Sequence, residues 1–191
     1  MNVGLFFGSF NPVHIGHMAL ANYFVEFTNI DQLWFIVSPH NPLKNKKSLI
    51  SDQLRLEMVE LAIDHDERFT ASDIEFRMPK PSYTIDTLTY LSEKHPKNNF
   101  ILLMGADGLN SFHKWKNNDQ IIRQYHRYIY PRRLSNTEEV LRHENITLLD
   151  NAPQIEISSS FIRKAIKENK DIRYFLPVKV SEFIERLNLY K

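Results

Sequence analysis

The stretch VGLFFGSFNPVHIGH, Val3–His17, decides the fold. Val3 to Phe7 is a continuous apolar run, the pattern of a strand buried on both faces. Beyond Pro12, His14 to Phe27 places Leu20, Phe24 and Phe27 on one helical face. Gly8 to His17 therefore joins a strand to a helix. At such a joint the first N–H groups of the helix point outward and carry the positive end of its dipole, which suits an anion. Gly8 lets the backbone approach a ligand closely, and Gly16 leaves room for a flat or bulky group against the helix start. His14 and His17 stand i and i+3 apart, so both rings fall on one face. The spacing is neither GxGxxG nor GxxxxGK[ST]. Two histidines here are also compatible with ordinary surface positions. A metal site would need a third histidine or a carboxylate nearby, and none completes it.

The same alternation continues along the chain. Gln32–Ser38, Phe69–Phe76, Phe100–Met104, Arg127–Tyr130 and Ile146–Leu149 read as strands. Ser51–His65 reads as a helix with Leu54, Met58, Leu61 and Ala62 on its apolar side and Ser51 as N-cap. Thr84–Lys94 is helical up to Pro96, and Ser160–Asn169 and Val178–Leu187 are helical, with Pro177 near the start of the second. Strands alternating with helices imply βαβ units: an α/β, Rossmann-like, doubly wound and mostly parallel sheet with helices on both faces. Ligands of such sheets bind outside the carboxyl ends of the strands. The 191 residues fit one domain, 1–191, with a C-terminal helical portion from about 158. Asn41–Lys47 and Arg132–Thr137 read as polar loops.

Composition narrows the function. A net charge of +1 gives no general call for nucleic acid or an anionic membrane as partner. The absence of cysteine excludes disulfides, thiolate metal sites and a cysteine nucleophile. No apolar stretch approaches the ~20 residues of a membrane span, and the N-terminus lacks signal-peptide character. A cytoplasmic protein is expected, and a homo-oligomer is compatible with the sequence.

Four further observations bear on identity. His14-Ile15-Gly16-His17 reads HIGH. Pro81-Ser82-Tyr83-Thr84 is followed by Thr87-Leu88. Met104-Gly105-Ala106-Asp107 precedes Phe112 and Trp115. Ile157-Ser158-Ser159-Ser160-Phe161-Ile162-Arg163 lies near the C-terminus. Together, in this order, they resemble the HIGH-motif nucleotidyltransferases, and among these the bacterial nicotinate-nucleotide adenylyltransferases with their PSYTxxTL, GxDxLxxFxxW and ISSTxIR elements. Class I aminoacyl-tRNA synthetases share HIGH but are far longer. The chain departs from the family pattern in places. Ser9 and Asn11 stand where the family usually has Thr and Asp. Pro42-Leu43-Lys44 stands for PHK, and Pro131-Arg132-Arg133-Leu134 only approximates RPG.

The resemblance implies adenylyl transfer from ATP to nicotinate mononucleotide, giving deamido-NAD and pyrophosphate. The acceptor phosphate is already anionic, so in-line attack needs no general base and no covalent enzyme intermediate. His14 and His17, with the backbone of Gly8, Ser9 and Phe10, would hold the triphosphate, with Lys44 and Arg163 as fixed cations. Gly16, Gly105, Asp107, Ile157, Ser158 and Ser159 would complete the ATP site, Asp107 at a ribose. Thr84, Trp115, Lys116 and Arg133 would bind the mononucleotide, Trp115 stacking on its pyridine ring. Mg2+ would arrive on the ATP phosphates, with no metal site of the protein's own. A related adenylyl- or cytidylyltransferase acting on nicotinamide mononucleotide or phosphopantetheine is the alternative, as is a non-catalytic nucleotide-binding relative.

Overall fold

The computed structural model describes residues 1–39, 49–132 and 144–191. The expected loop Asn41–Lys47, most of Arg132–Thr137, and with them Lys44 and Arg133, lie outside the described residues. Six strands are described: β1 (Asn2–Gly8), β2 (Gln32–Val37), β3 (Phe69–Ser72), β4 (Asn99–Gly105), β5 (His126–Tyr130) and β6 (Ile146–Leu148). They form one sheet in the order β3-β2-β1-β4-β5-β6. Every pairing is parallel; Leu5 of β1 stands level with Trp34 on one side and Leu102 on the other.

Alternation along each strand sends side chains to two cores. Phe6, Leu33, Phe35, Ile101, Leu103 and Tyr128 face one way. They pack against α1 (Ile15–Phe27), α2 (Asp52–Ile63), α6 (Ser159–Lys167) and α7 (Val178–Arg186), which contribute Leu20, Phe24, Met58, Ile162 and Phe183 among others. Val3, Leu5, Ile36, Leu102 and Ile129 face the other way. There they meet α3 (Thr84–Lys94), α4 (Ala106–Leu109) and α5 (Asn118–Gln124) through Leu88, Leu109 and Ile121. Both sheet faces are thus covered, as parallel strands require. No helix among the described residues is long and apolar enough to cross a membrane.

Several sequence expectations need correction. The strand expected over Phe69–Phe76 stops at Ser72, and Ile74–Arg77 turns into a 3-10 helix that buries Glu75. Phe27, expected on the apolar face of α1, is 70% exposed and stacks on Tyr23 one turn back, with ring centroids 5.0 Å apart. The buried face of α2 is Arg55, Met58, Val59 and Ile63, with Leu54, Leu61 and Ala62 only at its margin. Helices α4 and α5, of four and seven residues, are too short for a periodic signal. The cap on α2 is as expected: the Ser51 hydroxyl accepts from the Leu54 N–H at 3.3 Å.

Leu5 lies in the central strand with no exposure. Leu5→Ala should destabilise the protein by ~2–5 kcal/mol, the range for a buried leucine truncated in a close-packed core. Denaturant unfolding should show a lower midpoint at an unchanged m-value.

Candidate active site

The sheet order reverses between β1 and β4. The chain leaves β1 for α1 on one face and leaves β4 for α4 on the other, opening a crevice at the carboxyl ends of both strands. A cavity of about 500 Å³ occupies it. Gly8, Ser9, Thr84, Gly105, Asp107, Trp115 and Lys116 line it, all of them site residues expected from the sequence. A second cavity of about 350 Å³ is lined by Asp107, Tyr130, Arg132, Ile155, Ile157 and Ser158. Asp107 and Tyr130 line both, so the two compartments share a wall.

The connection from β1 to α1 forms one edge of this site. Phe10 has a φ of 43°, a left-handed conformation uncommon for a bulky residue. Its ring lies against Gly8, where any Cβ would come within 2.7 Å of it. His14 caps α1, and its ring stacks on that of His17 with centroids 3.7 Å apart. The His14 N–H donates to His17 Nδ1 at 3.2 Å. With Nδ1 accepting, the ring proton of neutral His17 sits on Nε2. His14 is 5% exposed; burial, reinforced by the charge of Arg132, draws its pKa down to about 4. It is therefore neutral at pH 7. The space above Gly16 is filled by the His14 ring, 3.1 Å from where a Cβ would stand, and by Ile155 at 3.3 Å. Gly16 thus admits the neighbouring histidine.

The second motif docks onto the same connection. Ser158 caps α6, accepting from the Phe161 N–H at 3.1 Å. The Ser159 hydroxyl donates to the Pro12 carbonyl at 2.8 Å. Arg163 Nη1 donates to the Asn11 carbonyl at 2.8 Å and Nη2 to the Ser160 hydroxyl at 3.2 Å. Two segments about 150 residues apart in sequence therefore form one wall, and Arg163 spends part of its fork on backbone.

The first cavity has its own architecture. Thr84 opens α3, which Tyr83 rather than Thr84 caps. Trp115 is half-buried beside Phe112, with centroids 5.2 Å apart. Lys116 reaches across to α3, with Nζ 2.9 Å from the Asp86 carboxylate and 4.8 Å from the centre of the Tyr83 ring. Arg132 stands beside Asp107, its Nε 3.7 Å from the carboxylate.

Sequence reasoning missed three residues here. Glu75 lines the first cavity at 2% exposure, accepting from the Thr87 hydroxyl at 2.8 Å and the Ser82 hydroxyl at 3.0 Å. Burial raises its pKa despite these donors. Tyr190 donates its phenol to Asn11 Oδ1 at 2.8 Å. Arg55, with no exposure, reaches the backbone where β1 and β2 end. Each is polar and isolated in the sequence, so no spacing rule marks it. Among the described residues no group of three or more histidines and carboxylates is placed to hold a metal ion.

The cytidylyltransferase-like family profile matches residues 5–165. A Flavobacterium johnsoniae protein named "Probable nicotinate-nucleotide adenylyltransferase" is 48% identical over 193 residues, covering 100% of both chains. One of the same name from Bacteroides thetaiotaomicron is 47% identical over 96% of this chain and 91% of its own. The Plasmodium falciparum nicotinic acid mononucleotide adenylyltransferase complexed with NaAD superposes with a TM-score of 0.83. That likeness spans 99% of this chain and 97% of the other at 20% identity, and shows the fold. A strand-to-helix connection carrying HIGH, docked against the serine motif and matched along its whole length at nearly half identity, places this chain in the cytidylyltransferase-like family, among the nicotinate-nucleotide adenylyltransferases.

Proposed function

We propose that this protein transfers the adenylyl group of ATP to nicotinate mononucleotide, releasing pyrophosphate and giving deamido-NAD. The observation that carries the reading is the pair of cavities sharing Asp107 and Tyr130 at the sheet's switch point. Two nucleotides have to meet phosphate to phosphate, and two compartments with one common wall allow it. The compartment lined by Ile157 and Ser158 suits ATP. The one lined by Thr84, Trp115 and Lys116 suits the mononucleotide, with Trp115 available to stack on the pyridine ring. The relatives named for this activity support the assignment.

The acceptor phosphate oxygen attacks the α-phosphorus in line, and the bond to the pyrophosphate oxygen breaks. The attacking oxygen carries no proton, so the protein has no proton to remove. Its task is to align the two phosphates and meet the charge that grows on the leaving group. The N–H groups at the start of α1, His17 Nε2 and Arg163 are the donors for that charge, together with Lys44. Asp107 accepts from ribose hydroxyls, and Arg133 is retained as the candidate partner of the mononucleotide phosphate. These N–H groups and the guanidinium would pair with phosphate oxygens and not with a metal; Mg2+ would come bound to the ATP phosphates and supply neutralising charge there. Neutral His14 acts as an N–H donor and as the packing partner of His17.

Removing one preorganised donor typically lowers turnover ~10²–10³-fold. His17→Ala should therefore lose kcat by that order while its thermal melt stays cooperative. Steady-state pyrophosphate release measures it, and an unchanged kcat overturns the role.

The acceptor should be the acid form of the pyridine nucleotide. A carboxylate only accepts hydrogen bonds, whereas a carboxamide must also donate. The Thr84 hydroxyl and the Lys116 backbone amide offer donors, while the Trp115 N–H, expected beside them, is already given to the Phe112 carbonyl at 3.0 Å. Of the cavity's carboxylates, Glu75 already accepts from two hydroxyls and Asp107 stands beside Arg132. kcat/KM for nicotinate mononucleotide should exceed that for nicotinamide mononucleotide at least about tenfold, ~1.4 kcal/mol in transition-state binding. Rates with both acceptors at saturating ATP decide the matter, and a preference for the amide overturns the pocket assignment.

The His14 shift also sets a pH dependence of stability. Its pKa is about 4 folded against 6.5 for the unperturbed ring. Between those values the unfolded chain binds more protons, so stability rises with pH across the window and is lost as pH falls from 6.5 toward 4. Over that range the Tm of the wild type should fall more steeply than that of His14→Gln. Calorimetry across the window measures the difference, and parallel slopes would show that His14 is not held neutral by the fold.

A further inference from the structure

The connection from Gly8 to His14 turns its acceptors into the protein, and side chains from distant segments take them. Arg55 Nη1 donates to the Ser9 carbonyl at 2.6 Å, Arg163 Nη1 to the Asn11 carbonyl and the Ser159 hydroxyl to the Pro12 carbonyl, both at 2.8 Å. In a trans peptide the carbonyl and the following N–H point in opposite directions. The peptide held by Arg55 is the one that ends in the Phe10 N–H. Drawing the Ser9 carbonyl inward turns that N–H outward, on the side where Gly8 and Ser9 line the cavity. Among the described residues the Phe10 N–H has no acceptor. The left-handed φ of Phe10, 43°, belongs to the same turn and needs an external restraint to persist.

Arg55 is built for that restraint. Its side chain has no exposure. Besides Ser9, its Nη1 holds the Ser38 carbonyl at 2.8 Å, tying the end of β1 to the end of β2. Nη2 donates to the Pro39 carbonyl at 3.3 Å and to the Asp52 carboxylate at 2.6 Å, and Nε donates to the Ile50 carbonyl at 3.3 Å. One buried charge is thus compensated by one carboxylate and four carbonyl dipoles. Only a planar fork reaches all five at once. A lysine keeps the charge and loses the span.

We propose that Arg55 is a positioning residue for adenylyl transfer, fixing the Ser9–Phe10 peptide so that the Phe10 N–H donates to a phosphate oxygen of the bound nucleotide. It touches no substrate, and acts through that amide. The proposal rests on the functional reading above, and its test separates the two. Full-length protein labelled with 15N-phenylalanine is titrated with nicotinate mononucleotide, assigned above to the cavity that Gly8 and Ser9 line, and separately with Mg2+ and an ATP analogue carrying a methylene between the α and β phosphorus atoms. In the wild type the Phe10 amide resonance should move in at least one titration; in Arg55→Lys it should stay near its free position. kcat of that variant should fall ~10–100-fold, the scale of a small misplacement at the reacting centre. That kcat is referred to the folded fraction seen in the same spectra, because loss of folded protein by itself also lowers the apparent kcat while leaving KM unchanged. A Phe10 resonance unmoved by either ligand in the wild type, an equal response in the variant, or a kcat within about twofold of wild type overturns the proposal. Where Arg55→Lys does not fold, Arg55→Gln takes its place in both measurements, and the same results support or overturn the role. Failure of the wild type to release pyrophosphate with any mononucleotide counts against the function, while the titration still decides the role of Arg55.

Discussion

The pairing of β1 with β2 on one side and β4 on the other is the constraint from which the site follows. Both partners are parallel to β1, so three carboxyl ends lie side by side. The next helices leave β1 and β4 toward opposite faces, and nothing in the sheet fills the gap between them. The gap is where two compartments share a wall. Chemistry that only brings two phosphates together needs such a place more than it needs a special side chain.

The charges around the crevice are arranged to leave the ligand as the main unmet anion. Glu75 is buried, but hydroxyls from Ser82 and Thr87 take its oxygens. Asp107 stands beside Arg132 and Asp86 beside Lys116. His14 is kept neutral, so it adds no cation that would have to be desolvated when the site is empty. Fixed donors in a partly buried site are worth more than the same groups in water and need no reorganisation as charge develops.

Much of this was legible in the sequence, for reasons visible residue by residue. Continuous apolar runs such as FILLM at 100–104 have few other readings than a strand buried on both faces, and the βαβ alternation then leaves one topology class. The motif residues Gly8, Thr84, Gly105, Asp107, Trp115 and Ser158 do line the two cavities. What stayed hidden was polar groups used inside the core. Arg55 breaks the apolar stripe of α2, so pattern reading rotated the helix toward Leu54 and Leu61, while the folded helix turns its arginine inward to meet five acceptors. Glu75 sits in a 3-10 helix of four residues that alternation had read as strand. Tyr190 finds Asn11 only through tertiary structure, 179 residues away.

That distance says how the connection from β1 to α1 holds its shape. Its acceptors are taken by side chains 46, 147, 152 and 179 residues further along the chain. None of those contacts exists until α2, α6 and the C-terminal segment have docked on the same face of the sheet. A left-handed phenylalanine over a glycine is not a conformation the local sequence would hold by itself. It persists because the surrounding structure over-determines it. The connection is therefore a tertiary object with a local motif inside it. HIGH sits at the start of α1, and segments far along the chain hold the backbone around it.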